Sequence, residues 1–321
     1  MAFQNTSMMS LSSPSQYSSR SFRKLATRVG SGLLALGLSV TVALPSFAAD
    51  PFRTSNPREI GELTEDAFEA IFKEGDYASA RQILARAETE EAGEPLVHAM
   101  LASMAYLEGD SGLDEVLRRA ELTKQTAQAM LDSGRDPLRG HLYSAVGVFL
   151  EGAHLLKTQG VAQGTPAALG MLQQVFSSMD AAEAIDPNDS ELNLLKGYMD
   201  LMLAVNLPFS NPDEAITRMS NHGSPIYLAQ RGIAIGYRDL EEYDKALVAV
   251  DNAIADAGDN PELFYLKGQV LVRSGNREAS VPWFQRALEN AEGRLPDRLT
   301  RQIRFEECRA LRGDDCGRLR E

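Results

Sequence analysis

From Leu63 to about Leu311 apolar residues recur at spacings of three and four, and no run of alternating β-branched residues interrupts them. That is the period of helices with one apolar stripe each, so an all-α chain is expected. Turn-forming residues divide the pattern at Gly75-Asp76, Gly93 to Pro95, Gly109-Asp110, Gly134 to Pro137, Gly160 to Pro166, Asp186-Pro187-Asn188, Asn206 to Pro212, Gly258 to Pro261, Gly275-Asn276 and Gly293 to Pro296. The reading is six antiparallel helix pairs, the third of them non-standard, followed by a helix from about Pro296 to Arg312. Residues 49–60 carry two prolines and no helical period, which marks a short linker. Behind it lie a helical domain over 61–293, with an irregular long-helix segment at 114–186, and a capping helix and tail over 294–321.

The pattern repeats. Laying Tyr227 to Asn260 over Pro261 onward puts Tyr237 on Leu271, Val250 on Phe284, Ala253 on Ala287 and Ile254 on Leu288, each pair 34 residues apart. Near the start, Gly75-Asp76 and Gly109-Asp110 show the same spacing. A third echo sets Leu192-x-x-Leu195-Lys196-Gly197 against Leu263-x-x-Leu266-Lys267-Gly268. A fixed period of this length, with helix, turn and helix in each unit, is the mark of a stacked solenoid, because one pair cannot bury its own apolar faces.

These residues resemble the tetratricopeptide repeat (TPR). In the last unit Phe264 and Gly268 stand at the large and small positions of the first helix, Gly275 at the turn, and Phe284 and Ala287 in the second helix. The preceding unit supplies Ala234, Tyr237, Tyr243, Ala246 and Ala253, and the first unit Gly75, Tyr77, Ala80, Leu84 and Ala87. Ala182 with Asp186-Pro187-Asn188 looks like the end of another unit. The resemblance implies an α-solenoid of about six TPR-like pairs plus a capping helix. The sequence also departs from it: Leu113 stands where a small residue belongs, the helices after Asp114 and Pro137 are long for the repeat, and the Asn206 to Pro212 insertion is expected to protrude as a loop.

The first 28 residues are Ser-rich, basic and free of acid, and an uncharged apolar stretch from Leu33 to Leu44 follows, ending at Pro45. This is the plan of a secretory signal. Ser46 and Ala48 place cleavage between Ala48 and Ala49, which makes residues 1–48 a signal peptide. The apolar block is about a dozen residues, short of the roughly 20 that span a bilayer, although the whole uncharged window from Val29 to Ala49 leaves an uncleaved anchor as an alternative. An organellar transit peptide is a third reading, but such leaders lack a compact apolar block. The leader holds no Arg-Arg pair and no Cys follows the cleavage site, which points to general secretion, with the periplasm as destination and no stable membrane insertion after cleavage. A further, weaker resemblance, carried by the leader ending Leu44-Pro-Ser-Phe-Ala-Ala-Asp50, is to exported cyanobacterial TPR proteins; it implies the thylakoid lumen as a second address.

Composition narrows the function. The chain of 321 residues carries 45 Asp+Glu against 32 Lys+Arg, a net charge of -13, and its leader takes Arg20, Arg23, Lys24 and Arg28 away with it. A polyanion of this kind is not expected to bind nucleic acid or an anionic bilayer, since both depend on Lys and Arg. No phosphate-binding Gly-rich loop, nucleophile elbow or His-Glu-x-x-His pair is present. His141 and His154 lie about 220° apart around one predicted helix, and with His98 and His222 they are expected to be structural or solvated. Glu62, Glu65 and Glu69 form an acidic stripe that reads as a solvated face. Neither a cofactor nor a metal is expected. Cys308 and Cys316 are the only thiols. In an oxidising compartment they would close a short loop and tie the tail to the capping helix; otherwise they are free.

What the TPR resemblance implies about binding is a concave groove lined by the first helices of successive pairs. Its positions fall on Tyr106 and Leu107, on Leu194, Tyr198, Leu201 and Met202, on Arg231, Ile235 and Arg238, and on Tyr265, Gln269, Val272 and Arg273. Tyr, Met and Arg are the types enriched in protein interfaces, and Leu194, Leu201 and Val272 are equally suited to packing between repeats. Ile235 and Leu266 stand where a carboxylate clamp for chaperone tails would need polar residues, so that sub-class is set aside. The expected function is an exported, non-enzymatic scaffold holding a protein partner in this groove. A transient assembly factor for envelope or photosynthetic complexes, and a hydrolase working through the acidic middle segment, are the alternatives.

Overall fold

The computed structural model describes residues 50–206, 212–313 and 316; the expected signal peptide and the interior of the Asn206 to Pro212 insertion lie outside the described residues. Within them the chain forms thirteen α-helices and no strand. They run as α1 (Glu62–Glu69), continued by a π-helical turn at Ala70–Glu74, and α2 (Tyr77–Glu90); α3 (Pro95–Leu107) and α4 (Leu113–Ser133); α5 (Pro137–Gln159) and α6 (Val161–Ile185); α7 (Ser190–Asn206) and α8 (Pro212–His222); α9 (Ile226–Asp239) and α10 (Tyr243–Ala257); α11 (Pro261–Arg273) and α12 (Arg277–Glu289); and α13 (Asp297–Arg312). Consecutive helices pack on one another throughout, so the molecule is an all-α helical-repeat stack. No helix among the described residues is long and apolar enough to cross a membrane.

The punctuation in the sequence works by recognisable chemistry. Asp136 and Asn260 each sit before a proline at the first helical position and accept hydrogen bonds from free amides there, Arg139 N at 3.1 Å and Glu262 N at 2.9 Å. The start of α1 is capped from a distance: the Glu91 carboxylate accepts from Leu63 N and Thr64 N at 2.9 and 2.8 Å. The repeat-signature alanines at 80, 87, 246, 253 and 287 are wholly buried. A Cβ built on Gly268 would stand 2.6 Å from the Phe284 ring, which is why the repeat needs no side chain there.

Three features differ from the sequence reading. Two turns were not among the expected breaks: α8 ends at His222 before Gly223-Ser224-Pro225, and α9 gives way to α10 through Leu240 to Glu242. The second was hidden because Glu241 does the work of a glycine. Its φ is 65°, and Gly275, 34 residues on, has φ 87° at the matching turn. Conversely, the break expected over Gly160 to Pro166 is a single residue, Gly160, and α6 runs on through Pro166. The third difference is the segment before α1. It is non-helical, yet it is no free linker: Asp50, Phe52 and Ile60 are buried, and Phe52 sits edge-on to Phe68 with ring centroids 4.9 Å apart.

Candidate functional site

α11 carries Glu262, Tyr265, Gln269 and Arg273 on one stripe, and α9 turns Arg231, Arg238 and Asp239 toward it. Three polar rungs join the two helices. Arg231 Nη2 donates to Glu262 Oε2 at 3.3 Å, Arg238 Nη1 donates to Gln269 Oε1 at 2.8 Å, and Arg273 Nη1 donates to Asp239 Oδ1 at 2.8 Å. Partners on a rung are 31 or 34 residues apart, so each is a contact between nearly equivalent positions of consecutive units. Arg238 also chelates the neighbouring Asp239 through Nε and Nη2, both at 2.8 Å.

The chain covers this ladder with its own ends. Tyr77, the first residue of α2, donates from Oη to Glu262 Oε1 at 2.9 Å, and its amide donates to the Arg294 carbonyl at 3.0 Å. Arg294 in turn donates to the Glu74 carbonyl, and the π-helical turn packs against α9. On the second rung Glu306 of α13 accepts from Tyr265 Oη at 2.7 Å and from Gln269 Nε2 at 3.2 Å. Only the third rung, Arg273 with Asp239, remains open to water.

Burial sets the protonation here. It pushes the Glu262 carboxyl up to about 8, against the pull of Arg231 and the Tyr77 hydroxyl. Burial, and then the Glu262 charge, raises the Tyr77 phenol well above its ordinary value, so it stays a donor. Arg231 is 3 % exposed, and its Nε has no hydrogen-bond partner among the described residues.

Arg231, Arg238, Tyr265 and Gln269 therefore do share one face, as the groove positions require, but they are buried and paired within the chain rather than presented to solvent. Tyr198 lies nearby, its Oη donating to the Leu228 carbonyl at 2.7 Å and its ring packed on Gly232. Leu194 and Leu201 are core residues, while Leu107, Ile235 and Val272 are partly buried against the core. Tyr106, Met202 and Arg273 keep part of their surface accessible.

A second buried cluster has no counterpart in the sequence reading. Arg139, 1 % exposed at the start of α5, donates to both oxygens of Glu94 at 2.8 Å and through Nε to Glu191 at 3.0 Å. Tyr143 Oη also donates to Glu191, at 2.6 Å. From the segment before α1, Arg53 reaches Asp189 at 2.7 Å, Glu191 at 3.0 Å and Asp50 at 2.7 Å, while Arg58 joins Asp136 at 2.6 Å to Asp189 at 3.0 Å. Burial alone would raise Glu191, but Arg139 and Arg53 outweigh it and hold the carboxyl at about 2. The signal that was there to be read is the acid beside each helix start: Glu94, Asp136, Asp189 and Glu191 all flank Pro95, Pro137 or Ser190, and read singly they are only caps.

The remaining candidates are structural. His98 is buried beside Arg119, with Nδ1 3.4 Å from its Nη1, and burial followed by that charge lowers its pKa. Glu69 of the acidic stripe pairs with Lys73 at 2.7 Å. Among the described residues no group of three or more His, Cys, Asp and Glu side chains could hold a metal ion. Among the described residues of 114–186 no carboxylate is buried. Cys308 and Cys316 are joined in a disulfide with Cα atoms 6.0 Å apart. No family model and no curated protein matches this chain.

Proposed function

We propose that this chain is an exported, non-enzymatic scaffold of the tetratricopeptide type, which binds a segment of a partner protein along the face formed by α7, α9 and α11. The observation that carries the reading is that this face already holds polypeptide: Tyr77 and Glu306 of the chain itself sit on the α9–α11 ladder through side-chain hydrogen bonds. The 34-residue period and the small-residue positions support the repeat assignment, and the basic, then apolar leader supports export. A hydrolase is disfavoured, because Glu94, Asp189 and Glu191, the buried carboxylates nearest the middle segment, are saturated by arginines rather than poised for proton transfer.

The test is a crosslinked pull-down from the native envelope. Since Arg231 and Tyr265 are buried, replacing them would disturb packing, so the variant should alter accessible positions, Met202→Glu with Arg273→Glu. Val248→Glu on α10, whose side chain is exposed, is the control. A partner captured by the parent and the control but lost with the double variant supports the face. A partner retained by all three removes it.

A further inference from the structure

In a solenoid each unit normally touches only its neighbours, so its ends are independent. Here the first unit reaches the fifth and sixth: Tyr77 and Glu262 are 185 residues apart in sequence, and Glu74 and Arg294 are 220 apart. Gly109, in the turn after α3, lies directly beneath the Arg298 guanidinium of α13, a second contact across the same gap. The stack is closed on itself through these polar contacts and through the packing of the π-helical turn on α9.

The Tyr77 seat is only partly satisfied. Arg231 reaches Glu262 through one nitrogen at 3.3 Å, beyond the usual range of an N–H···O hydrogen bond, and its buried Nε is unpartnered among the described residues. An orphaned buried donor costs free energy, so a segment that supplied an acceptor there would bind better than Tyr77 does. Elsewhere in the molecule the comparable arginine, Arg139, has Nε and both terminal nitrogens engaged. The charged groups acting on Tyr77 and on Arg294, which holds its turn, are Glu74 and Asp76 on the first unit, Arg231 on the fifth, Glu262 on α11, and Asp259 before it.

We infer that the turn Glu74 to Tyr77 is an intramolecular plug on the α9–α11 ladder, displaced by a partner segment that offers a hydroxyl donor to Glu262 and an acceptor to Arg231 Nε. This rests on the proposed partner-binding face and adds its regulation: the resting protein is self-occupied, and partner binding opens the closure between the first unit and the last two.

The experiment uses the full mature chain with Tyr77→Phe, which deletes only the hydroxyl, and a fluorescent peptide of residues 70–81 as probe. Hydrogen exchange reads the closure, and fluorescence anisotropy reads occupancy of the ladder. The expected result is that amides of residues 74–80 exchange about tenfold faster in the variant, and that the peptide binds it about tenfold more tightly than the parent, the equivalent of one lost hydrogen bond. Unchanged exchange overturns the closure. Faster exchange with equal peptide affinity for parent and variant overturns the plug, because the released turn would not be competing for the ladder. Failure of the partner-binding reading is seen separately: the peptide then behaves as expected while the captured partner ignores both it and Met202→Glu/Arg273→Glu. If Tyr77→Phe does not fold, the same two readouts are taken on Arg294→Ala, which removes the donor to the Glu74 carbonyl and leaves Glu262 and Arg231 of the ladder in place.

Discussion

Glu191 and Glu262 are both buried carboxylates at the start of a first helix, and they behave in opposite ways. Glu191 is gripped by two arginines and a tyrosine, and its carboxyl is held at about 2 despite complete burial. Glu262 has one arginine at 3.3 Å and one tyrosine, and its carboxyl rises to about 8. The difference shows that burial alone does not decide the fate of a charge; the number and closeness of its partners do. Around Glu191 the chain has built a saturated strut tying the segment before α1 to the second, third and fourth units. Around Glu262 it has built a contact that is shorter of partners and joins the ends of the stack.

The largest test of that contrast removes the arginine from each cluster. Arg139→Ala strands Glu94 without a counter-charge, leaves Glu191 with Arg53 alone, and is expected to cost about 3–5 kcal/mol in urea unfolding. Arg231→Ala is expected to cost less, about 1–3 kcal/mol, because Glu262, with its carboxyl at about 8, is already largely protonated at neutral pH and leaves no stranded charge. Equal losses would mean that the two clusters are alike.

pH dependence sharpens the same point. Glu191, lowered from 4.5, stabilises the folded chain above about 4.5, and this contribution is lost as the pH falls toward about 2. Glu262, raised from 4.5 to about 8, has the reverse sign: its contribution is complete below about 4.5 and is lost as the pH rises through about 8. Melting temperatures of Glu191→Gln should therefore converge on the parent in acid, while those of Glu262→Gln match the parent in acid and gain on it toward pH 8. Parallel curves for the two variants would refute the assignment.

Smaller effects probe the ladder's surroundings. Glu241 holds a left-handed conformation where the next unit has Gly275, so Glu241→Gly should raise stability by about 1 kcal/mol, measured as a shift in the urea midpoint. A loss would show that the Glu241 side chain contributes more than its backbone strain costs. Arg273→Ala breaks a half-exposed pair and is expected to change stability by under about 1 kcal/mol. A larger loss would mean that the third rung is as structural as the first.

Much of the fold was legible because helix period and turn chemistry act over short distances. Gly75, Gly134, Asp136-Pro137 and Asn260-Pro261 mark helix ends by backbone conformation and missing amides, and those are properties of the residues themselves. The turn at Glu241 was illegible for the same reason, since glutamate carries no preference for positive φ, and only its 34-residue relation to Gly275 betrays it. For the candidate site, the stripe Arg231, Arg238, Tyr265, Gln269 and Arg273 could be placed on one face from the repeat alone. That the face would be covered by Tyr77 and Glu306 could not. Arg53 and Arg139 were missed altogether, because their acidic partners other than Asp50 lie 45 to 138 residues away and no local pattern links them.

The sequence by itself determined an all-α chain, its helix pairs, the small residues that let them stack and the side chains that share a stripe, because each of these follows from contacts within a few turns of helix. Only the tertiary structure decided which charges would be saturated, which would stay short of partners, and that the first unit would close on the last two. Those outcomes depend on how many groups from distant parts of the chain meet in one buried volume, where desolvation is large and each added partner changes the balance.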